Sequence, residues 1–350
     1  MTTTRWIAAL AAASLVFAAC GDDDDAADTT TPDTSATTSA TTNDTAATTE
    51  PPAATEATTA PSEPTAEPST TIAEQALFPV TVTADNGDVT IDEQPMAIVS
   101  LSPSLTEIVY AIGAGDQVIA VDGSSDFPEG TPMTDLSGFR PNVEAIAELQ
   151  PDLVLLARDR DDIVATLDGL GIQVVLLTSA DDLSDVERQI RVLGDVTGHP
   201  DEADVVATET SESVDDLLAS LPEQDAPLRA YYELSPDYST VTSDTFVGAV
   251  LAAAGIENIA DGVDPEAGPF PQLSAEYVLE QDPDLIFIAH TDGTVPTIEE
   301  LTARPGWDQL TAVANDDIVF LDVDIVSRWG PRVVELVDGV VGAVQRAGPG

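Results

Sequence analysis

Two groups of side chains in this 350-residue chain have the types and spacing to do chemistry. The first is a pair of carboxylates. Glu144 and Glu276 hold the same place in two related phrases, Asn142-Val-Glu-Ala-Ile-Ala-Glu-Leu-Gln-Pro-Asp-Leu-Val-Leu-Leu-Ala157 and Ser274-Ala-Glu-Tyr-Val-Leu-Glu-Gln-Asp-Pro-Asp-Leu-Ile-Phe-Ile-Ala289. Each phrase reads as a short amphipathic helix that opens near the glutamate, stops at Pro-Asp and runs into an apolar strand. An acid at a helix start gains ~0.3–1 kcal/mol from the macrodipole, so a purely structural role stands beside recognition of a partner. The second group is Phe127, Phe139, Arg140, Arg158, Tyr238, Phe270, Arg328 and Trp329, all in segments expected to follow strands. Aromatic rings offer a flat apolar ligand a wall, and the guanidinium fork suits carboxylate or phosphate oxygens. Singly, each fits ordinary loop packing or a surface ion pair; together, with Phe139 beside Arg140 and Arg328 beside Trp329, they point to a ligand site.

Other chemistries lack their residues. His199 and His290 are the two histidines, too few for the roughly four ligands of a tetrahedral metal site. His290 is expected as a hydrogen-bonded strand-end residue. Ser102 and Ser104 follow a strand as a nucleophile does, but no Gly-x-Ser-x-Gly surrounds them and no histidine is placed as base. Helix capping explains both, with Ser104 and Glu107 at capping-box spacing. A cell-surface hydrolase is therefore the weaker alternative, and no catalytic residue is assigned. Gly113-Ala-Gly115 follows a helix instead of opening one and reads as a helix stop, not a phosphate loop.

The elements that position these residues alternate. Phe78 to Ile91 alternates apolar and polar on both sides of Asn86-Gly87, a strong hairpin signal. Strands over 97–101, 117–121, 153–156 and 172–177, separated by helices, then build a first lobe over 76–198. A helical pattern fills 199–222 and is about 30 Å long at 1.5 Å per residue. A second lobe, 223–350, repeats the order with strands over 228–234, 285–288 and near 318–321 and a last helix after Pro331. The fold class is α/β, two similar lobes of parallel sheet with flanking helices joined by one long spine helix. Two such lobes place the largest concave surface between them, lined by loops at the carboxyl ends of the strands.

The ends and the charge bound where such a protein works. Residues 1–20 have one positive charge, Arg5, and an apolar run from Trp6 to Ala19, and they read as a secretory signal too short for a comfortable membrane span. Cys20 is the only cysteine, so no disulfide forms within the chain. Residues 21–75 are rich in Thr, Ala, Pro, Asp and Glu, cannot offset the entropy of ordering, and form a tether spanning roughly 40 Å. The rest carries 52 acidic residues against 10 arginines and no lysine. Nucleic acid and anionic lipid surfaces are therefore poor partners for the domain, and no nucleic-acid partner is expected.

Several motifs in the right order carry a family resemblance. Ile98-Val-Ser-Leu-Ser-Pro-Ser-Leu-Thr-Glu107, Ala111-Ile-Gly-Ala-Gly-Asp116, Gly138-Phe-Arg-Pro-Asn-Val-Glu144, Pro269-Phe-Pro-Gln-Leu-Ser274, Arg304-Pro-Gly-Trp307 and Ser327-Arg-Trp-Gly-Pro-Arg332 together resemble the substrate-binding proteins of ABC importers for cobalamin and ferric siderophores. The likeness covers residues 95–345 and is strongest to the cobalamin-binding branch, where Trp usually stands in place of Phe270. Phe17-Ala-Ala-Cys20 resembles a lipobox, with Phe17 a departure from its usual aliphatic residue, and implies lipidation of Cys20. The resemblance implies two lobes that move little on binding and an extracytoplasmic, lipid-anchored monomer with no cofactor of its own. Its ligand would be a cobalt corrinoid, or alternatively a ferric siderophore or haem, passed to an ABC permease with its ATPase. Glu144 and Glu276 would dock into arginine pockets of that permease, one per lobe.

Overall fold

The computed structural model describes residues 77–291 and 293–348. The expected signal at 1–20 with Cys20, and the tether at 21–75, lie outside the described residues. Among the described residues no helix is long and apolar enough to cross a membrane.

The chain opens with β1 (Val80–Ala84) and β2 (Gly87–Ile91), an antiparallel hairpin that pairs Val80 with Ile91 and Ala84 with Gly87. Gly87 takes φ of +100°, which its lack of a Cβ makes easy. Asn86 fastens the hairpin to the first lobe, its Nδ2 donating to the Val174 carbonyl at 3.0 Å and its Oδ1 accepting from Leu176 N at 3.1 Å.

That lobe runs β3 (Ile98–Leu101), α1 (Pro103–Ala111), β4 (Val118–Val121), α2 (Val143–Glu148), β5 (Leu153–Leu156), α3 (Ile163–Gly169) and β6 (Gln173–Leu176). Next come α4 (Leu183–Thr197) and α5 (Pro200–Ala219). The second lobe follows as β7 (Arg229–Glu233), α6 (Phe246–Ala253), β8 (Glu257–Asn258), α7 (Ala275–Gln281), β9 (Leu285–Ile288), α8 (Ile298–Thr302), α9 (Thr311–Ala314), β10 (Ile318–Phe320), α10 (Val323–Val326) and α11 (Val333–Ala347). Its parallel sheet is ordered β8-β7-β9-β10, and the first lobe's is β4-β3-β5-β6, so the two have one topology. The repeated Pro-Asp has a structural use. Asp152 Oδ2 accepts from Met96 N at 3.0 Å and Asp284 Oδ2 from Arg229 N at 2.9 Å, so each aspartate ties the start of one central strand to its neighbour.

Each sheet is apolar on both faces because helices cover both. The outer faces close two separate cores, one around Val99, Leu101, Ile146 and Val154, the other around Tyr231, Ile286, Val278 and Trp307. The inner faces share one core that includes Ile98 and Leu155 of the first lobe, Ala230 and Phe287 of the second, and Leu193, Ala207 and Leu336 of the helices. The long α5 crosses between the lobes, and α4 packs antiparallel along it after the chain reverses at Gly198 (φ +81°) and His199. The helices touch closely at Gly194, where an added Cβ would lie 2.2 Å from Ala203 Cβ.

The start of α1 departs from the expected capping box. Ser102 is the N-cap and Pro103 takes the first helical position, while Ser104 Oγ accepts from Trp329 N of the other lobe at 3.2 Å. Glu107 does not reach back to the helix start. It is 3 % exposed, and its carboxylate receives Arg328 Nη1 at 2.9 Å and Arg332 Nε and Nη2 at 2.9 and 2.6 Å, all from the second lobe. Burial alone would depress the pKa of Arg328, but the carboxylates of Glu107 and Asp126 outweigh it and hold it above its ordinary value.

Removing one member of a buried ion cluster leaves its partners uncompensated, at about 3–5 kcal/mol. Glu107→Ala is expected near the lower end of that range, because Asp126 and Asp324 still pair with Arg328 at 2.8 Å. Urea denaturation checks this: an unchanged midpoint would show that the lobes do not depend on Glu107.

Candidate ligand-binding cleft

The strand ends of the first lobe face the loop that follows α10, and between them lies a cavity of about 620 Å³. Its first-lobe wall comes from Leu101–Ser104, Asp122–Ser124, Leu136–Phe139, Ala157 and Arg158, and its second-lobe wall from Asp324 and Ser327–Trp329. A second cavity of about 620 Å³ adjoins it, with Arg158, Ser327 and Trp329 lining both. The second is walled mainly by apolar groups, among them Tyr232, Leu234, Val241, Phe246, Val247, Pro269 and Phe270. The cleft therefore has a polar end on the first lobe and an apolar end on the second.

At the polar end, Gly138 lets the loop before α2 press against β3. An added Cβ would lie 2.3 Å from the Leu101 carbonyl oxygen and 2.7 Å from Asp122 Oδ2. Asp122 is buried and accepts from Ser124 N at 2.8 Å and Ser125 Oγ at 3.3 Å. Burial pushes its pKa up, with those bonds and Arg328 opposing. The next residue, Phe139, is exposed and collects three guanidinium groups, with Arg160 at 4.0 Å, Arg158 at 5.7 Å and Arg140 at 5.9 Å from the ring centroid. Cation–π attraction gathers them. None of the three side chains meets a carboxylate within ion-pair distance among the described residues.

Trp329 stands where the cavities meet, its Nε1 donating to Gln189 Oε1 of α4 at 3.1 Å. Phe270 is 63 % exposed at the apolar end. The structure thus lines the two cavities with Phe139, Arg158, Phe270 and Trp329, and Arg140 lines neither but lies beside the Phe139 ring. Three other expected residues are employed differently. Arg328 touches the first cavity, but its donors go to Glu107, Asp126, Asp324 and the Ser124 carbonyl, which makes it part of the lobe clamp. Phe127 lies under Arg332, whose guanidinium carbon is 4.1 Å from the ring centroid. Tyr238 packs against Trp307 and Arg304 in the outer core of the second lobe and lines neither cavity.

Glu144 and Glu276 are the second residues of α2 and α7, and both are exposed and outside any ion pair of the described residues. Asn142 and Ser274 cap the two helices. The histidines lie apart from Ser102 and Ser104. His199 Nδ1 is 3.1 Å from the Thr197 carbonyl, and His290 Nε2 is 2.7 Å from Glu233 Oε1 inside a buried cluster with Arg304 and Tyr231. Among the described residues no three metal-ligating side chains come together.

Asp122 and Tyr232 are lining residues that the sequence reading did not name, and Arg160 is a further unnamed residue, beside the Phe139 ring. Arg160 was discoverable from its spacing, two residues beyond Arg158 at the end of a strand; Asp122 and Tyr232 carry no such signal.

Comparison with known proteins places these features. The model of the family described as periplasmic binding protein matches residues 98–325. An ABC transporter substrate-binding lipoprotein of Bacillus subtilis, YvrC, itself uncharacterized, is 32 % identical over 272 residues, covering 75 % of this chain and 84 % of that protein. A cobalamin-binding protein of Halobacterium salinarum is 32 % identical over 267 residues, 74 % of this chain and 72 % of that protein. Among solved structures, a possible iron-binding (periplasmic solute-binding) protein of Staphylococcus epidermidis superposes with a TM-score of 0.62 at 26 % identity, covering 72 % of this chain and 99 % of that one.

A side chain at position 138 would force the loop off β3 and carry Phe139 and Arg140 away from Arg158 and Arg160. Gly138→Ala is expected to cost about 1–3 kcal/mol, as overpacking does. Thermal melting checks this, and a melting temperature equal to wild type would contradict the close approach.

Proposed function

This chain belongs to the periplasmic binding protein family, and on that footing we propose that it is the substrate-binding lipoprotein of an ABC importer, capturing a cobalamin-like corrinoid and delivering it to a membrane permease driven by a cytoplasmic ATPase. In this reading residues 1–20 direct export, Cys20 carries the lipid, and 21–75 hold the binding domain away from the membrane as a monomer.

The observation that supports a corrinoid is the pair of adjoining cavities joined at Trp329, with Phe139 at one end and Phe270 at the other. A macrocycle laid across Trp329 would bury its faces on aromatic and aliphatic walls and keep its polar rim toward Arg140, Arg158 and Arg160. The cobalamin-binding relative supports the same choice. A ferric siderophore or haem is the second reading, favoured by those three arginines, which meet no carboxylate among the described residues, since an acidic chelate would neutralise them. No step of either reading makes or breaks a covalent bond in the ligand.

The two readings separate by probe and by salt. Cyanocobalamin is expected to saturate at one per chain in calorimetry and to quench Trp329. Its affinity should fall only modestly between ~0.1 and 1 M salt, a range over which the Debye length shrinks from about 10 to 3 Å. Saturation by haemin or a ferric siderophore, with no response to cyanocobalamin, would favour the second reading; no binding of any of them contradicts both.

Glu144 and Glu276 face solvent at matching points of the two lobes, as a pair of docking contacts for a two-fold permease would. Like charges set against each other at an interface cost several kcal/mol, whereas an exposed helix start tolerates reversal cheaply. Glu144→Arg with Glu276→Arg should therefore keep the melting temperature and ligand affinity of wild type and abolish uptake in cells carrying the cognate permease. Normal uptake by the double variant contradicts the docking role.

A further inference from the structure

Three buried side-chain atoms among the described residues have no hydrogen-bond partner: Gln117 Oε1, Trp307 Nε1 and the Tyr232 hydroxyl. Only Tyr232 of these lies in a wall of the two cavities of the cleft, where its neighbours include Leu234, Val241 and Phe246. It is 1 % exposed. A phenol left without an acceptor in apolar surroundings is destabilising, and native proteins keep few such groups.

The duplication supplies an internal comparison. In the second sheet Tyr232 pairs in register with Phe287, and in the first Ser100 pairs with Leu155. Leu155 and Phe287 each stand four residues after the proline of the repeated phrase, so Ser100 and Tyr232 occupy the same site of the two lobes. The Ser100 hydroxyl is satisfied, accepting from Thr106 Oγ1 at 2.8 Å. At the equivalent place the second lobe has a longer side chain that forms part of the cavity wall and whose buried hydroxyl finds no partner among the described residues.

We propose that the Tyr232 hydroxyl is a specificity-determining hydrogen-bond donor of the cleft, held for a carbonyl oxygen on an otherwise apolar part of the ligand. The inference rests on the corrinoid reading, since the rim of a corrin bears primary amides whose carbonyls suit this donor. Burial raises the pKa of the phenol, so the hydroxyl keeps its proton and remains a donor. A buried donor also rejects a ligand that presents only hydrocarbon there, because the hydroxyl would stay unpaired.

Calorimetry with cyanocobalamin, paired with thermal melting of ligand-free protein, tests this on wild type, Tyr232→Phe and Ser100→Ala. Tyr232→Phe removes only the hydroxyl; its ligand-free melting temperature should match or exceed wild type, and its affinity should drop about tenfold. Ser100→Ala should do the reverse, melting lower and binding as wild type does. Equal affinity of wild type and Tyr232→Phe overturns the inference and leaves the corrinoid reading standing. A lower melting temperature of ligand-free Tyr232→Phe also overturns it, since the hydroxyl would then be bonded within the protein. If wild type binds haemin and not cyanocobalamin, the corrinoid reading fails and the same comparison on haemin decides for Tyr232. Binding of neither overturns both.

Discussion

Glu107 sets how the two lobes meet. A carboxylate buried between the guanidinium groups of Arg328 and Arg332 has given up its water, and only well-placed charges and hydrogen bonds offset that loss. The geometry meets the demand: both carboxylate oxygens are engaged, and Arg328 also reaches Asp126, Asp324 and the Ser124 carbonyl. Where the loop 327–332 is fixed, Trp329 is fixed with it, its backbone N–H on Ser104 and its indole on Gln189. Trp329 in turn stands between the two cavities. The clamp that joins the lobes therefore also builds the middle of the candidate cleft.

The shared inner core makes this geometry stiff. Helices α1, α4, α5 and α11 and the inner faces of both sheets bury side chains in one cluster, so opening the cleft by hinge motion would expose apolar surface as well as break the clamp. Charge follows the same economy. In a chain of formal net charge −53, arginine is scarce, and six of the described arginines are in ion pairs: that of Arg188 lies within α4, while Arg191, Arg229, Arg304, Arg328 and Arg332 each reach another part of the fold. Arg140, Arg158 and Arg160 instead surround Phe139 at the polar end of the cleft, without carboxylate partners among the described residues. Three such groups set side by side repel one another, and oxygen acceptors placed among them would relieve that repulsion.

The architecture was legible because local pattern determines it. The repeated helix, Pro-Asp and apolar strand announced two lobes of one topology, Asn86-Gly87 announced the hairpin, and the unbroken helical run over 199–222 announced the crossing helix. The candidate cleft was legible in part. Phe139, Arg158, Phe270 and Trp329 follow strand ends, where loops of parallel sheets converge, and the structure lines the cleft with them. What sequence did not show is pairing over distance: Glu107 and its arginine partners are 221 and 225 positions apart, and nothing near Glu107 distinguishes a lobe clamp from a capping acid. For the same reason Arg328 read as a ligand fork and Tyr238 as a cleft residue, though Trp307 and Arg304 hold that ring in the outer core. Tyr232 read as strand interior, which it is; its unpartnered hydroxyl emerges only with the cavity wall around it.

A distance across the cleft bears most directly on the claim that clamp and shared core hold a ready-made site. Glu148 of α2 and Glu280 of α7 are exposed at matching points of the two lobes and accept spin labels after Glu148→Cys and Glu280→Cys in a Cys20→Ser background. Pulsed electron–electron resonance should give a single narrow distance distribution in the ligand-free protein, unchanged by saturating cyanocobalamin and broadened by Glu107→Ala. Two populations in the ligand-free protein, or a shift to a shorter distance on binding, would contradict a cleft fixed in advance and show instead lobes that close on their ligand.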